Sequence, residues 1–125
     1  MRGACFVYQY SKNAQLYQVL TDTVKDMLMA QDEQGRISSY GIHHELEAWD
    51  LWARKYVLLG MQYYLEICQD AKLSAQIVES MCRQVDYLIN KLSNPKEGKI
   101  LITKDTRHWR GLNSASIIIS ILITL

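Results

Sequence analysis

The chain has 125 residues, 49% of them apolar, which suits one domain with a real hydrophobic core. Its 14 Lys and Arg nearly cancel 13 Asp and Glu, leaving a formal net charge of +1 and no basic stripe, so nucleic-acid binding is not expected. Three cysteines (Cys5, Cys68 and Cys82) form no C-x-x-C pair and, being odd in number, no closed disulfide framework; reduced, buried thiols and a cytoplasmic setting are the expectation.

The first residues, Met1 to Tyr8, lack the long apolar run of a signal peptide. The segment from Gly3 reads as a helix ending in tyrosine-rich sequence, followed by a polar turn, Ser11-Lys12-Asn13. From Ala14 to Ala30 the apolar residues Leu16, Val19, Leu20, Val24, Met27 and Leu28 fall at 3–4 spacing and predict one buried stripe, with Ser11 or Asn13 as N-cap. A polar loop with Gly35 follows. Asp50 to Cys68 is predicted as the next helix, its inner face carrying Trp52, Tyr56, Leu59, Tyr63, Tyr64 and Ile67. Asp70 then caps a helix over about Leu73 to Leu92, with Leu73, Ile77, Met81, Val85, Leu88 and Ile89 inward. The chain's one proline, Pro95, sits in a polar break. Beyond it, Lys99 to Lys104 alternates β-branched residues and predicts a short β element near 99–103. The apolar run Ile117 to Leu125 is too short to span a bilayer, so no membrane partner is expected; as an uncapped β-prone tail it stands apart from residues 1–116.

The helices repeat. A shift of 57 lays Gly3 on Gly60, Leu16 on Leu73, Leu20 on Ile77, Val24 on Met81 and Leu28 on Val85. Repeated helical hairpins cannot bury both faces alone, so they stack into a solenoid or close into a ring. The fold class expected is all-α, built of antiparallel helical hairpins.

Two segments concentrate groups suited to a ligand. Asp32 to Tyr40 leads towards Glu45, Glu47, Trp49 and Asp50, and Thr106 to Ser116 contains His108 and Trp109. Indole and phenol rings stack on sugar faces while carboxylates accept hydroxyl hydrogen bonds, so Tyr40, Glu45, Glu47, Trp49, Asp50, His108 and Trp109 are the candidate sugar-binding residues. The same carboxylates at the start of a helix also complement its dipole, and Trp49 and Trp52 also suit core anchors. Arg54 and Lys55 are expected to pair with Asp50 or a loop carboxylate. His43-His44 lacks metal-ligand spacing; no metal and no cofactor is expected.

With those residues in view, the chain resembles the N-terminal part of the catalytic domain of glycoside hydrolase family 127, the β-L-arabinofuranosidase group. The similar segments are Met1 to Cys5, Gln31 to Tyr40, Trp49 to Gly60 and His108 to Ser116, and Trp49-Asp50-Leu51-Trp52-Ala53-Arg54-Lys55-Tyr56 is the most specific of them. The resemblance implies an (α/α)6 toroid, of which residues 1–116 would be under half. It also implies that the acid/base glutamate and zinc-bound cysteine nucleophile of that family lie beyond the matched region, so no catalytic residue is assigned here. A truncated or frame-shifted reading frame is the expectation, as is a homo-oligomer that covers the open edge. The rival expectation is a helical-repeat interaction module that self-associates.

Overall fold

The computed structural model describes residues 1–46 and 49–92, the side chain of Leu92 excepted. The β element expected near 99–103, the segment holding His108 and Trp109, the tail 117–125, and Glu47 all lie outside the described residues. Every regular element among the described residues is helical: α1 (Arg2–Ser11), α2 (Ala14–Met29), α3 (Asp50–Leu65) and α4 (Ala71–Leu92), with one turn of 3₁₀ helix at Ile42–His44. None of these helices is long and apolar enough to cross a membrane.

Local chemistry sets the boundaries. At the end of α1, Lys12 takes a left-handed backbone (φ 53°) and its N–H donates to Tyr8 O at 2.8 Å, which closes the helix. Asn13 then opens α2, its Oδ1 accepting from Leu16 N at 2.9 Å. Asp70 does the same for α4, accepting from Lys72 N at 2.8 Å and Leu73 N at 3.1 Å. These two caps coincide under the 57-residue shift.

Repeat-related helices are neighbours. Met1 lies against Gly60, where a Cβ would stand 3.1 Å from Met1 Sδ. Farther along, Phe6 meets Tyr63 edge-on at 5.5 Å, and Gln9 Nε2 donates to Glu66 Oε2 at 3.4 Å, a separation of 57 residues. α1 and α3 therefore lie side by side and run in the same direction. α2 adds the tyrosines: Tyr17 stacks on Tyr64 at 6.3 Å, Thr21 and Tyr64 share a hydroxyl hydrogen bond of 2.8 Å, and Tyr17 Oη accepts from Gln69 N at 3.0 Å. Tyr64 is fully buried, and that burial holds its hydroxyl well above the ordinary tyrosine range.

The core is one cluster in which Leu20 and Val24 of α2 meet Leu58 and Met61 of α3 and Leu73, Ile77, Met81, Val85 and Leu88 of α4. Three features of the expected stripes differ. Val19 and Ile89 sit at the edge of their apolar stripes and face solvent. In α3 the inner positions go to Asp50, Leu51, Arg54, Leu58, Met61 and Tyr64, while Trp52 and Tyr56 are turned outward. The reason is electrostatic: an inward ion pair at Asp50 and Arg54 fixes the helix's rotation, and the aromatic residues at 49, 52 and 56 then share the opposite side. Of the cysteines, Cys5 is buried, Cys68 half-buried and Cys82 exposed, and all three are free thiols. Burial pushes the Cys5 thiol above its ordinary value, which keeps it protonated.

The loop after α2 is clamped to α4. Asp32 Oδ1 accepts from Gln34 N and Arg36 N at 3.1 and 2.8 Å, a tight turn that Gly35 completes at φ 95°. Gln31 Nε2 bridges Gly35 O and Ser80 O at 2.9 and 3.0 Å, and Arg83 Nη2 donates to Asp32 O and Glu33 O, both at 3.2 Å. A Cβ on Gly35 would stand 2.8 Å from Arg83 O, so this turn needs glycine for both its backbone and its closeness to α4. Two substitutions should therefore move stability in opposite directions. Gly35→Ala is expected to cost roughly 1–3 kcal/mol, whereas Lys12→Gly, relieving a left-handed residue at an exposed helix end, should gain about 0.5–1 kcal/mol. Urea denaturation monitored by circular dichroism measures both.

Candidate functional site

Between the loop and the helices lies a buried cluster of charge. Arg54, on the second turn of α3, places Nη2 2.8 Å from Asp50 Oδ2 and 3.2 Å from Glu45 Oε2. Asp50 comes from the first turn of the same helix, four residues before, where a carboxylate also complements the helix dipole. Glu45 comes from the loop, and Arg36 from the turn after Gly35 reaches it at 3.5 Å. From α4, Lys91 Nζ approaches Glu45 at 3.7 Å and the Tyr87 hydroxyl donates to its carboxylate at 2.7 Å. Arg36, Glu45, Asp50 and Arg54 are all under a tenth exposed, Asp50 least at 1%.

Asp50 is also the point where the loop backbone is secured. Ser38 Oγ donates to Asp50 Oδ1 and accepts in turn from Tyr40 N at 3.0 Å. Leu46 N donates to Asp50 Oδ2 at 2.7 Å, with Leu46 itself in a left-handed conformation at φ 61°. Arg36 Nη2 donates to Tyr40 O at 2.9 Å. Burial pushes the Asp50 carboxyl up, but hydrogen bonds from Arg54, Ser38 and Leu46 outweigh it and hold the group below the ordinary carboxylate range. Tyr87 is displaced the other way: burial, and its donation to the anionic Glu45, raise its hydroxyl above the usual tyrosine value.

On the outward side of α3 the same segment presents an aromatic ladder. Trp49, Trp52 and Tyr56 follow one another edge-to-face, with centroids 5.4 and 4.6 Å apart and ring planes 72° apart in both pairs. They are 45%, 37% and 51% exposed. Lys55 Nζ lies 4.6 Å from the Tyr56 ring centroid and 5.4 Å from that of Trp52, so a cation is held at the ladder's side.

The residues expected at the site thus fall into two groups. Glu45 and Asp50 converge on one guanidinium, and Tyr40 joins them through its backbone N–H and C=O. Trp49 belongs to the exposed ladder. Glu47, His108 and Trp109 lie outside the described residues. His43 and His44 form the exposed 3₁₀ turn, and no group of three His, Cys, Asp or Glu able to hold a metal gathers among the described residues. Composition alone did not single out Ser38, Tyr87 and Lys91, the partners that complete the cluster. Arg54 was legible through its i,i+4 spacing to Asp50, but Tyr87 and Lys91 are more than 40 positions from Glu45 and only tertiary packing unites them. Comparison with protein-family models, curated proteins and solved structures finds no match, so function has to be read from these residues.

The cluster makes a signed prediction. Because the folded state holds Asp50 below its ordinary value, its stabilisation is complete above pH of about 4 and is lost as pH falls below that. Asp50→Asn leaves Arg54 with an uncompensated buried charge on that side and is expected to cost about 3–5 kcal/mol at neutral pH. Melting temperatures measured as pH is lowered past about 4 should fall more steeply for the natural chain than for the variant, with the gap between them constant above that pH.

Proposed function

We propose that this chain is an arc of an α/α toroid that binds carbohydrate, related to the family 127 glycoside hydrolases it resembles in sequence. One observation carries the reading. The two most motif-like segments, the Gly35–Tyr40 loop and the Trp49–Tyr56 helix start, are one bonded unit through Ser38, Asp50, Arg36, Glu45 and Arg54, and this unit leaves the ladder rings open to solvent. Two helix pairs joined by short turns, with α1 packed beside α3 in the same direction, suit antiparallel hairpins repeated around such a ring.

The parts divide the work. Indole and phenol faces take the apolar face of a furanose or pyranose by stacking, and loop polar groups beside the ladder take its hydroxyls. The buried ions hold the helix start rigid, so that little order has to be imposed when sugar arrives. Glu45 and Asp50 act as anchors in this scheme. A general acid or base must exchange protons with substrate, whereas each of these carboxylates is buried beneath Arg54 and its other donors. Cutting a glycosidic bond is therefore not assigned to them.

Titration calorimetry against arabinofuranosides and a panel of other glycosides tests this proposal. The expectation is measurable binding that weakens at least about tenfold, or 1.4 kcal/mol, in Trp52→Ala, with the melting temperature of that variant nearly unchanged. A folded sample that gives no heat with any sugar would defeat the reading.

A further inference from the structure

We propose that a second copy of this chain seats its α3–α4 pair on the open face of α1 and α2, continuing between molecules the step that joins the two helix pairs within one. This inference stands on the repeat and its packing, and the outcome of the sugar titrations does not bear on it.

Within the molecule, the second helix pair offers the first a face made of Gly60, Tyr64, Ile67 and Leu73. All of it is covered: Tyr64 is 0% exposed, Leu73 4% and Ile67 9%. Moving back by 57 residues gives Gly3, Val7, Tyr10 and Leu16, the same face on the first pair. There it is open. Val7 is 57% exposed and Tyr10 94%, with Val19 beside them at 56%. The glycines make the contrast plainest, since Gly60 has Met1 Sδ 3.1 Å from its would-be Cβ and Gly3 has nothing within 4 Å. A groove of about 430 Å³ runs between α1 and α2 on this side, floored by Val7, Leu16 and Val19 and edged by Ser11, Asn13 and Gln15. No charged side chain lines it. Such a surface suits another uncharged helix face and offers nothing to an ionic partner.

The face that would fill it is defined by the same shift. Inside the molecule, Tyr64 is met by Tyr17 and Thr21, and Tyr8 joins them on Tyr17 and Gln69. Moving Tyr8, Tyr17 and Thr21 forward by 57 reaches Leu65, Ser74 and Val78. These too are uncharged; Leu65 and Ser74 are half-buried, and Val78 is 37% exposed on α4. Among the described residues the chain thus carries an acceptor face on α1 and α2 and a donor face on α3 and α4. Because the two faces differ, the contact is head-to-tail, and it continues into longer assemblies unless the rotation closes a ring.

Sedimentation velocity across a concentration series tests the assembly. The natural chain should gain mass with concentration beyond a dimer. Val7→Glu or Tyr10→Lys, at exposed positions of the acceptor, and Val78→Glu on the donor should each lower the association constant at least tenfold, with helical content unchanged by circular dichroism. An equimolar mixture of Val7→Glu and Val78→Glu still contains one intact face of each kind and should form a one-to-one dimer that grows no further. A natural chain that stays monomeric throughout overturns the proposal. So does Val78→Glu associating like the natural chain while the acceptor variants do not, which would mean face-to-face pairing through α1, and so does a mixture that remains monomeric.

Discussion

The more deeply buried of two guanidinium groups, that of Arg54, governs this structure. Arg54 cannot lose its proton, and inside the protein it needs anions around it. Asp50, one turn before it, supplies one, and Glu45 supplies another from a loop that has no regular structure of its own beyond one 3₁₀ turn. The requirement to surround that charge draws the loop onto α3 and fixes which side of α3 faces inward, and Glu45, once there, takes Tyr87 and Lys91 of α4 as its own partners. A hydrophobic helix could rotate by a few tens of degrees and remain buried. One with an internal ion pair tied to three other segments cannot.

What could be read in the sequence follows from this. Helices α2 and α4 are governed by apolar periodicity, so their extent, their caps at Asn13 and Asp70 and most of their buried positions were legible. The face of α3 was not. Trp52, Tyr56 and Tyr63 form as regular a stripe as any in the chain, and aromatic rings suit a core, so periodicity favours them as the inner face. The exposure of Trp52 and Tyr56 follows from the cost of turning Asp50 and Arg54 away from Glu45 and Ser38, whose positions in space no local pattern reveals. The same holds for the candidate site: its types of residue could be named, but not the division between buried carboxylates and exposed rings.

The repeat explains where the molecule is closed and where it is open. Tyrosines at positions 8, 17 and 64 knit the two helix pairs by stacking and through their hydroxyls, which are placed to meet Thr21 and the Gln69 backbone and side chain. Among the described residues the two helix pairs cover the face between them and leave the outer side of α1 and α2 exposed at Val7, Tyr10 and Val19. The aromatic ladder on α3 has a separate origin, since it arises from the ion pair beneath it rather than from the end of an array. The two exposed surfaces therefore differ in chemistry: one carries indole and phenol rings, the other an uncharged groove.

Leu46 has a consequence of its own. It bends the chain in a conformation that disfavours any side chain, and the N–H it turns inward is one of those that hold the Asp50 carboxylate. The bend is thus a latch kept shut by charge. Below pH of about 4, where acid discharges the carboxylate, the Leu46 N–H loses the anion it donates to, and this strained bend is held by one charge less. One awkward residue thus ties the shape of the loop to the charge at the start of α3.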